Sequence, residues 1–116
     1  MRYICLVYFK KGLVGGLDAD DRVVLDRDSF AYDRELDAAG HLVVAEALQA
    51  PEAAVTVRVR DGKMSTTDGP FAETKEILGG FILIEARDLN EAIRVAAGIP
   101  LAKHGSIEVR PIMQWD

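Results

Sequence analysis

At 116 residues, 49% of them hydrophobic and 28% charged, the chain is long enough for one domain with a real core and too short for two. Nineteen acidic residues against fourteen basic ones leave a net charge of −5, and no Lys/Arg cluster of the kind that neutralises phosphates, which argues against nucleic-acid binding. No apolar run approaches the ~18 residues of a membrane span, one cysteine excludes an internal disulfide, and two histidines plus that cysteine supply no closely spaced metal-ligand set, so neither a metal nor another cofactor is expected.

Residues 2–9 predict the first strand. Its alternating faces, Tyr3/Cys5/Val7/Phe9 and Ile4/Leu6/Tyr8, are both apolar, so both sides need a cover. The stretch is too short for a signal peptide and has no small-residue cleavage site after it, so a cytoplasmic protein is expected. Cys5 within it reads as a small buried hydrophobe rather than a reactive thiol. Residues 10–19, with Gly12, Gly15 and Gly16, read as a connection. Lys10 and Lys11 there are solvated charges that border whatever the strand end opens onto.

A helix is expected from about Asp20 to Ala39, with Asp18, Asp20 and Asp21 at its positive end and Leu25, Ser29, Tyr32, Leu36 and Ala39 on one face. Gly40 suits a left-handed turn after it, and His41 reads as a carbonyl cap rather than a catalyst. Leu42–Leu48 predicts a second strand. Val55–Arg60 and Lys63–Thr67 predict a hairpin about Asp61-Gly62. A two-residue loop there pairs Arg60 with Lys63, and the ladder then pairs 59 with 64, 57 with 66 and 55 with 68. Val55, Val57 and Val59 thus share a face with Met64, Thr66 and Asp68, while Arg58 and Arg60 share the other with Ser65 and Lys63. The parity delivers Asp68 to the end of an apolar face, where a carboxylate must be paired, hydrogen-bonded or raised in pKa.

Gly69-Pro70 turns the chain into a loop or short helical turn over 71–78. Residues 79–85 predict another strand apolar on both faces. Asp88-Leu89-Asn90-Glu91 opens a second helix in a capping-box pattern, with Leu89, Ala92, Ile93, Ala96 and Ala97 as its apolar face and Gly98 and Pro100 as its stop. Residues 101–105 form a loop carrying Lys103 and His104, and residues 106–113 the last strand, with Ile107 and Val109 inward. The order β-α-β-(β-β)-β-α-β contains the split β-α-β of ferredoxin-like folds with an inserted β-hairpin, an α+β fold with two helices on one face of an antiparallel sheet. Two helices cover one face only, so a second subunit's sheet is expected on the other, giving a homodimer through the sheet face.

The motif Thr67-Asp68-Gly69-Pro70-Phe71-Ala72-Glu73-Thr74-Lys75-Glu76 is long and specific. With Met1–Tyr8, Ala38-Ala39-Gly40, residues 56–62, Gly79-Gly80-Phe81 and residues 107–111, it makes the whole chain, as a single domain over 1–116, resemble the DGPF-domain branch of the YCII-related family. The resemblance implies a dimeric α+β barrel with a cleft beside the Asp-Gly-Pro-Phe loop. A His–Asp dyad proposed for some relatives does not carry over, because no histidine lies between Met1 and Gly40. Frequent neighbourhood to extracytoplasmic-function sigma factors implies a regulatory setting without naming a chemistry.

Two functional readings follow. In the first, the dimer's cleft binds a small apolar or weakly anionic molecule against Asp68, Gly69, Pro70, Phe71, Glu73 and Lys75, as a sensory or regulatory module. In the second, the protein is a cofactor-independent enzyme with Asp68 as base, assisted by His104 or Glu73, acting on a carbonyl or aromatic substrate. The bland reading stands beside both: Asp-Gly-Pro makes a turn unaided, and Phe71 plugs the end of a barrel.

Overall fold

The computed structural model describes residues 1–115. The strands are β1 (Arg2–Lys10), β2 (Leu42–Ala47), β3 (Val55–Arg60), β4 (Lys63–Asp68), β5 (Glu76–Glu85) and β6 (Ser106–Pro111), and the helices are α1 (Ala19–Ala38) and α2 (Leu89–Ala97). Short 3-10 turns at Pro51–Ala53 and Pro100–Lys103 complete the order. β5 begins at Glu76, three residues before the expected start, so the loop after the hairpin is shorter than its sequence suggests. Among the described residues no helix is long and apolar enough to cross a membrane.

The main sheet is antiparallel, in the order β2-β5-β1-β6, which is the split β-α-β arrangement. Tyr3, Cys5 and Val7 of β1 lie opposite Ile84, Ile82 and Gly80 of β5, and this face carries the core. Leu36 of α1 and Ala92, Val95, Ala96 and Ile99 in and after α2 close over it. The face expected for α2 is thus rotated: Leu89, Ile93 and Ala97 point to solvent, and Val95 takes their place. The helix has apolar residues on more than half its circumference, and the i, i+3, i+4, i+7 set 92-95-96-99 is the stripe that meets the sheet.

Caps set the helix bounds as the sequence suggests. The Asp18 carboxylate accepts the Asp21 N–H at 2.8 Å, and the Asp88 carboxylate accepts the Glu91 N–H at 2.9 Å. Glu91 reaches back to the N–H of Arg87, one residue before the cap, rather than to the cap residue itself. The Tyr32 hydroxyl donates to the Val95 carbonyl at 2.6 Å, tying α1 to α2. His41 Nδ1 donates to the Glu85 carbonyl at 2.8 Å, the capping role its position suggests.

Burial sets the state of the cysteine. The thiol of Cys5 has no exposed surface, and desolvation of the thiolate pushes its pKa up from 9.0 to about 11. The unfolded chain loses this proton near pH 9 while the folded chain keeps it, so the folded state binds more protons between the two values. Stability contributed by this group is therefore present below pH 9 and lost as pH rises towards about 11. Urea titrations at stepped pH should show that decline, and Cys5→Ala should flatten it; an identical slope in both proteins would assign the decline elsewhere.

The β3–β4 hairpin stands apart as a two-stranded sheet of its own. Its register is Val55↔Asp68, Val57↔Thr66, Val59↔Met64 and Arg60↔Lys63, the ladder expected from a two-residue loop. Asp61 and Gly62 both take positive φ, 53° and 74°, as a type I′ turn requires. This arm is extended: the chain measures 47 × 47 × 19 Å with a radius of gyration of 16.1 Å, against roughly 13 Å for a compact domain of this length.

Candidate functional site

The motif folds at the root of the arm. Gly69 takes φ 92°, a conformation that strains any residue with a Cβ, and so turns the chain out of β4. The turn is clamped to the start of β3 by two hydrogen bonds: the Gly69 N–H donates to the Ala54 carbonyl at 2.7 Å, and the Thr56 hydroxyl donates to the Gly69 carbonyl at 2.8 Å. Pro70 and Phe71 are thereby fixed on the rim of a cleft of about 960 Å³.

The other walls come from distant parts of the chain. Tyr8 and Lys11 enter from the end of β1, Ile77 and Leu78 from the start of β5, and Leu48 to Thr56 from the segment joining β2 to β3. A bulge makes the wall possible: Val7 pairs with Gly80 but Tyr8 pairs with Leu78, so Gly79 is left over. A Cβ on Gly79 would sit 2.1 Å from the Phe9 ring, so a larger residue there would require that ring to move. At the same end, Gly105 lies so near the Tyr8 carbonyl that a Cβ would meet it at 2.0 Å, and the Ser106 hydroxyl donates to the Glu76 carboxylate at 3.0 Å.

The polar groups of the cleft are few. Lys11 Nζ lies 2.5 Å from Glu52 Oε1, joining the end of β1 to the turn at Pro51–Ala53. The pair shifts both members: the hydrogen bond to Glu52 raises Lys11, and the same bond lowers Glu52. Glu73, from the motif loop, adds a further upward pull on Lys11, which places its charge near the pair. Thr56, Thr74 and Gln49 complete the polar lining, against an apolar remainder of Tyr8, Leu48, Val55, Phe71, Ile77 and Leu78.

Of the residues singled out from sequence, Gly69, Pro70, Phe71 and Glu73 line this cleft, whereas Asp68, Lys75 and His104 do not. Asp68 is exposed at the end of β4 opposite Val55, because the apolar face that delivers it is itself open to water in the single chain. Water therefore reaches the carboxylate that the sequence placed at the end of that apolar face. His104 is exposed at the end of the turn Pro100–Lys103, and Lys75 is exposed on the loop before β5. The residues not anticipated are Tyr8, Leu48 and Glu52. Lys11 had a signal, since a lysine at a strand end borders what that strand opens onto. Glu52 had only the preceding proline, which fits the first position of a short helical turn.

The family model for the YCII-related domain matches residues 1–116. The chain belongs to the YCII-related family. An uncharacterized protein of Rhizobium meliloti (strain 1021) is 37% identical to it over 114 residues, covering 97% of this chain and 92% of that protein. Among solved structures, the 5-chloro-2-hydroxyhydroquinone dehydrochlorinase of Burkholderia phenoliruptrix AC1100, in complex with 2,5-dihydroxybenzoquinone, superposes with a TM-score of 0.55 at 17% identity, covering 100% of this chain and 94% of that one. At that identity the likeness is one of fold. This YCII-related chain has an α+β fold, two helices packed on one face of an antiparallel sheet, as its strand order implies.

Proposed function

We propose that this YCII-related protein binds a small, largely apolar molecule bearing one or more hydrogen-bonding substituents, in the cleft beside the Asp-Gly-Pro-Phe loop. The observation that carries the reading is the composition of that cleft: aromatic and aliphatic walls around one ion pair, Lys11–Glu52, and one further carboxylate, Glu73. Binding sites for small molecules have this make-up and this size, with polar groups few and placed to orient the ligand. Lys11 is already paired, so the polar part of the cleft stands at net −1, which favours a neutral or hydrogen-donating ligand over an anionic one. In this role the protein responds to the ligand, as a sensory or regulatory module does.

A second reading, acid–base catalysis without a cofactor, draws on two observations. Of Asp68, Glu73 and His104, Glu73 alone faces the cleft, and a protein of the same fold is a dehydrochlorinase seen with a hydroxylated quinone. Glu73 is then the acid–base group, with Tyr8 and Lys11 as the hydrogen-bonding neighbours.

A thermal-shift screen over hydroxylated aromatics and quinones, beginning with 2,5-dihydroxybenzoquinone, tests both. A ligand present at a hundred times its Kd stabilises the folded chain by about 2.7 kcal/mol, a rise in Tm on the order of 10 °C for a domain of this size. A panel without any shift contradicts the binding reading. Conversion of a bound compound by the wild type, abolished in Glu73→Gln with binding kept, selects the second reading over the first.

A further inference from the structure

Most hydrogen-bond donors of the cleft are already engaged. The Thr56 hydroxyl gives its proton to the Gly69 carbonyl at 2.8 Å, and the Thr74 hydroxyl gives its own to the Glu76 carbonyl. A hydroxyl has a single proton, so both threonines have only lone pairs left to offer. The N–H groups of Ala53, Ala54 and Gly69, all in the lining, are spent on the carbonyls of Ala50, Pro51 and Ala54. Lys11, the one cation of the lining, has its charge balanced by Glu52 at 2.5 Å. Glu73 stands differently, since among the described residues no cation lies within ion-pair distance of it. The groups left over are a carboxylate and hydroxyl lone pairs. Their complement is a positively charged donor.

We propose that the ligand of this cleft is a small protonated amine, an apolar body carrying one primary ammonium, with Glu73 as the counter-ion that selects it. The inference rests on the binding role proposed above and narrows the ligand class within it. An ammonium offers three N–H donors and one positive charge, which suits an unpaired carboxylate beside two acceptor hydroxyls. It also brings the polar part of the cleft from net −1 to zero. A carboxylate or phosphate ligand would add to the negative charge and meet few donors. A neutral alcohol has one proton to give and leaves the charge of Glu73 unbalanced. The walls agree with a cation on an apolar body. The rings of Tyr8 and Phe71 attract positive charge at their faces, and Leu48, Val55, Ile77 and Leu78 accommodate the hydrocarbon. Phe71 and Glu73 belong to one loop, which the two hydrogen bonds of Gly69 fix to the start of β3, so ring and charge come from one anchored segment.

Three compounds of one shape test this by calorimetric titration of the wild-type protein at neutral pH: phenethylamine, phenethyl alcohol and phenylacetate. The amine should bind about tenfold more tightly than the alcohol, the difference between a charge-assisted hydrogen bond and a neutral one, and phenylacetate should bind most weakly. Glu73→Gln should weaken the amine about tenfold and leave the alcohol unchanged, a split that loss of structure does not produce. Asp37→Asn makes the same change of net charge at an exposed position of α1 and should leave all three affinities as they are. Ethylamine, with the charge but little apolar body, should bind far more weakly than phenethylamine. An alcohol that matches the amine, a preference for phenylacetate, or an amine affinity indifferent to Glu73→Gln overturns the proposal and leaves the cleft as a site for apolar molecules. Failure of all three compounds, with a hydroxylated aromatic still binding, also overturns the amine alone. Failure of these compounds and of the whole screen removes the amine and the binding role together.

Discussion

Ile84→Ala should lose about 2–5 kcal/mol of folding stability, the largest effect expected of any single truncation in this chain. Ile84 has no exposed surface and sits on β5 opposite Tyr3, with Leu42 of β2 on its other side, so strands flank it left and right while the helices close from above. The neighbours belong to hydrogen-bonded strands and cannot collapse into the space left behind, which puts the cost well above that of simple transfer to water. Thermal melts should show a fall in Tm on the order of 10–20 °C for a domain of this size. Val23→Ala on the outer surface of α1 is the matched control, because Val23 is exposed and the loss should stay within about 0.5 kcal/mol. Similar losses for the two would mean that the core is not where the strand alternation puts it.

Phe71→Ala should weaken ligand binding in the cleft by about 1.5–2 kcal/mol, a factor of roughly ten to thirty in Kd. The ring stands on the cleft rim and is exposed in the single chain, so little of its area is engaged in folding and most is free to be covered by a ligand. Folding stability without ligand should therefore change little, and the Tm gain at fixed ligand concentration should shrink. Lys75→Ala provides the contrast. It lies four residues further along the same motif but outside the cleft lining, and should leave affinity nearly unchanged. Equal losses for Phe71→Ala and Lys75→Ala would indicate an electrostatic effect of the whole loop rather than a wall of the cleft.

How far the sequence reveals this protein depends on the range of the contacts involved. The hairpin was legible to the residue, because Asp61-Gly62 fixes a two-residue turn and the pleat then propagates from Arg60↔Lys63 to Val55↔Asp68 by local geometry alone. The fold was legible for a related reason, since strands apolar on both faces alternating with two capped helices leave few arrangements. The buried stripe of α2 was not. Residues 89, 92, 93, 96 and 97 make as good an apolar face as 92, 95, 96 and 99, and only the sheet decides between them. Asp68 shows the same limit. Parity placed it correctly on the valine face, but its solvation depends on what covers that face, which no local pattern encodes. One wall of the cleft was legible, through the loop 69–73 that the motif marks. The remaining walls, with Tyr8, Leu48 and Glu52 among them, assemble from segments far apart in sequence and from the bulge at Gly79.

The most direct test of the cleft as a binding site is amide chemical-shift mapping with the strongest compound from the thermal-shift screen. Shifts are predicted to concentrate at Tyr8, Lys11, Leu48, Val55, Gly69, Phe71 and Leu78, and to saturate with the Kd measured for stabilisation. Saturable shifts confined to α1, α2 or the N-terminal end of β1, with the amides of residues 69–73 unmoved, would contradict the account.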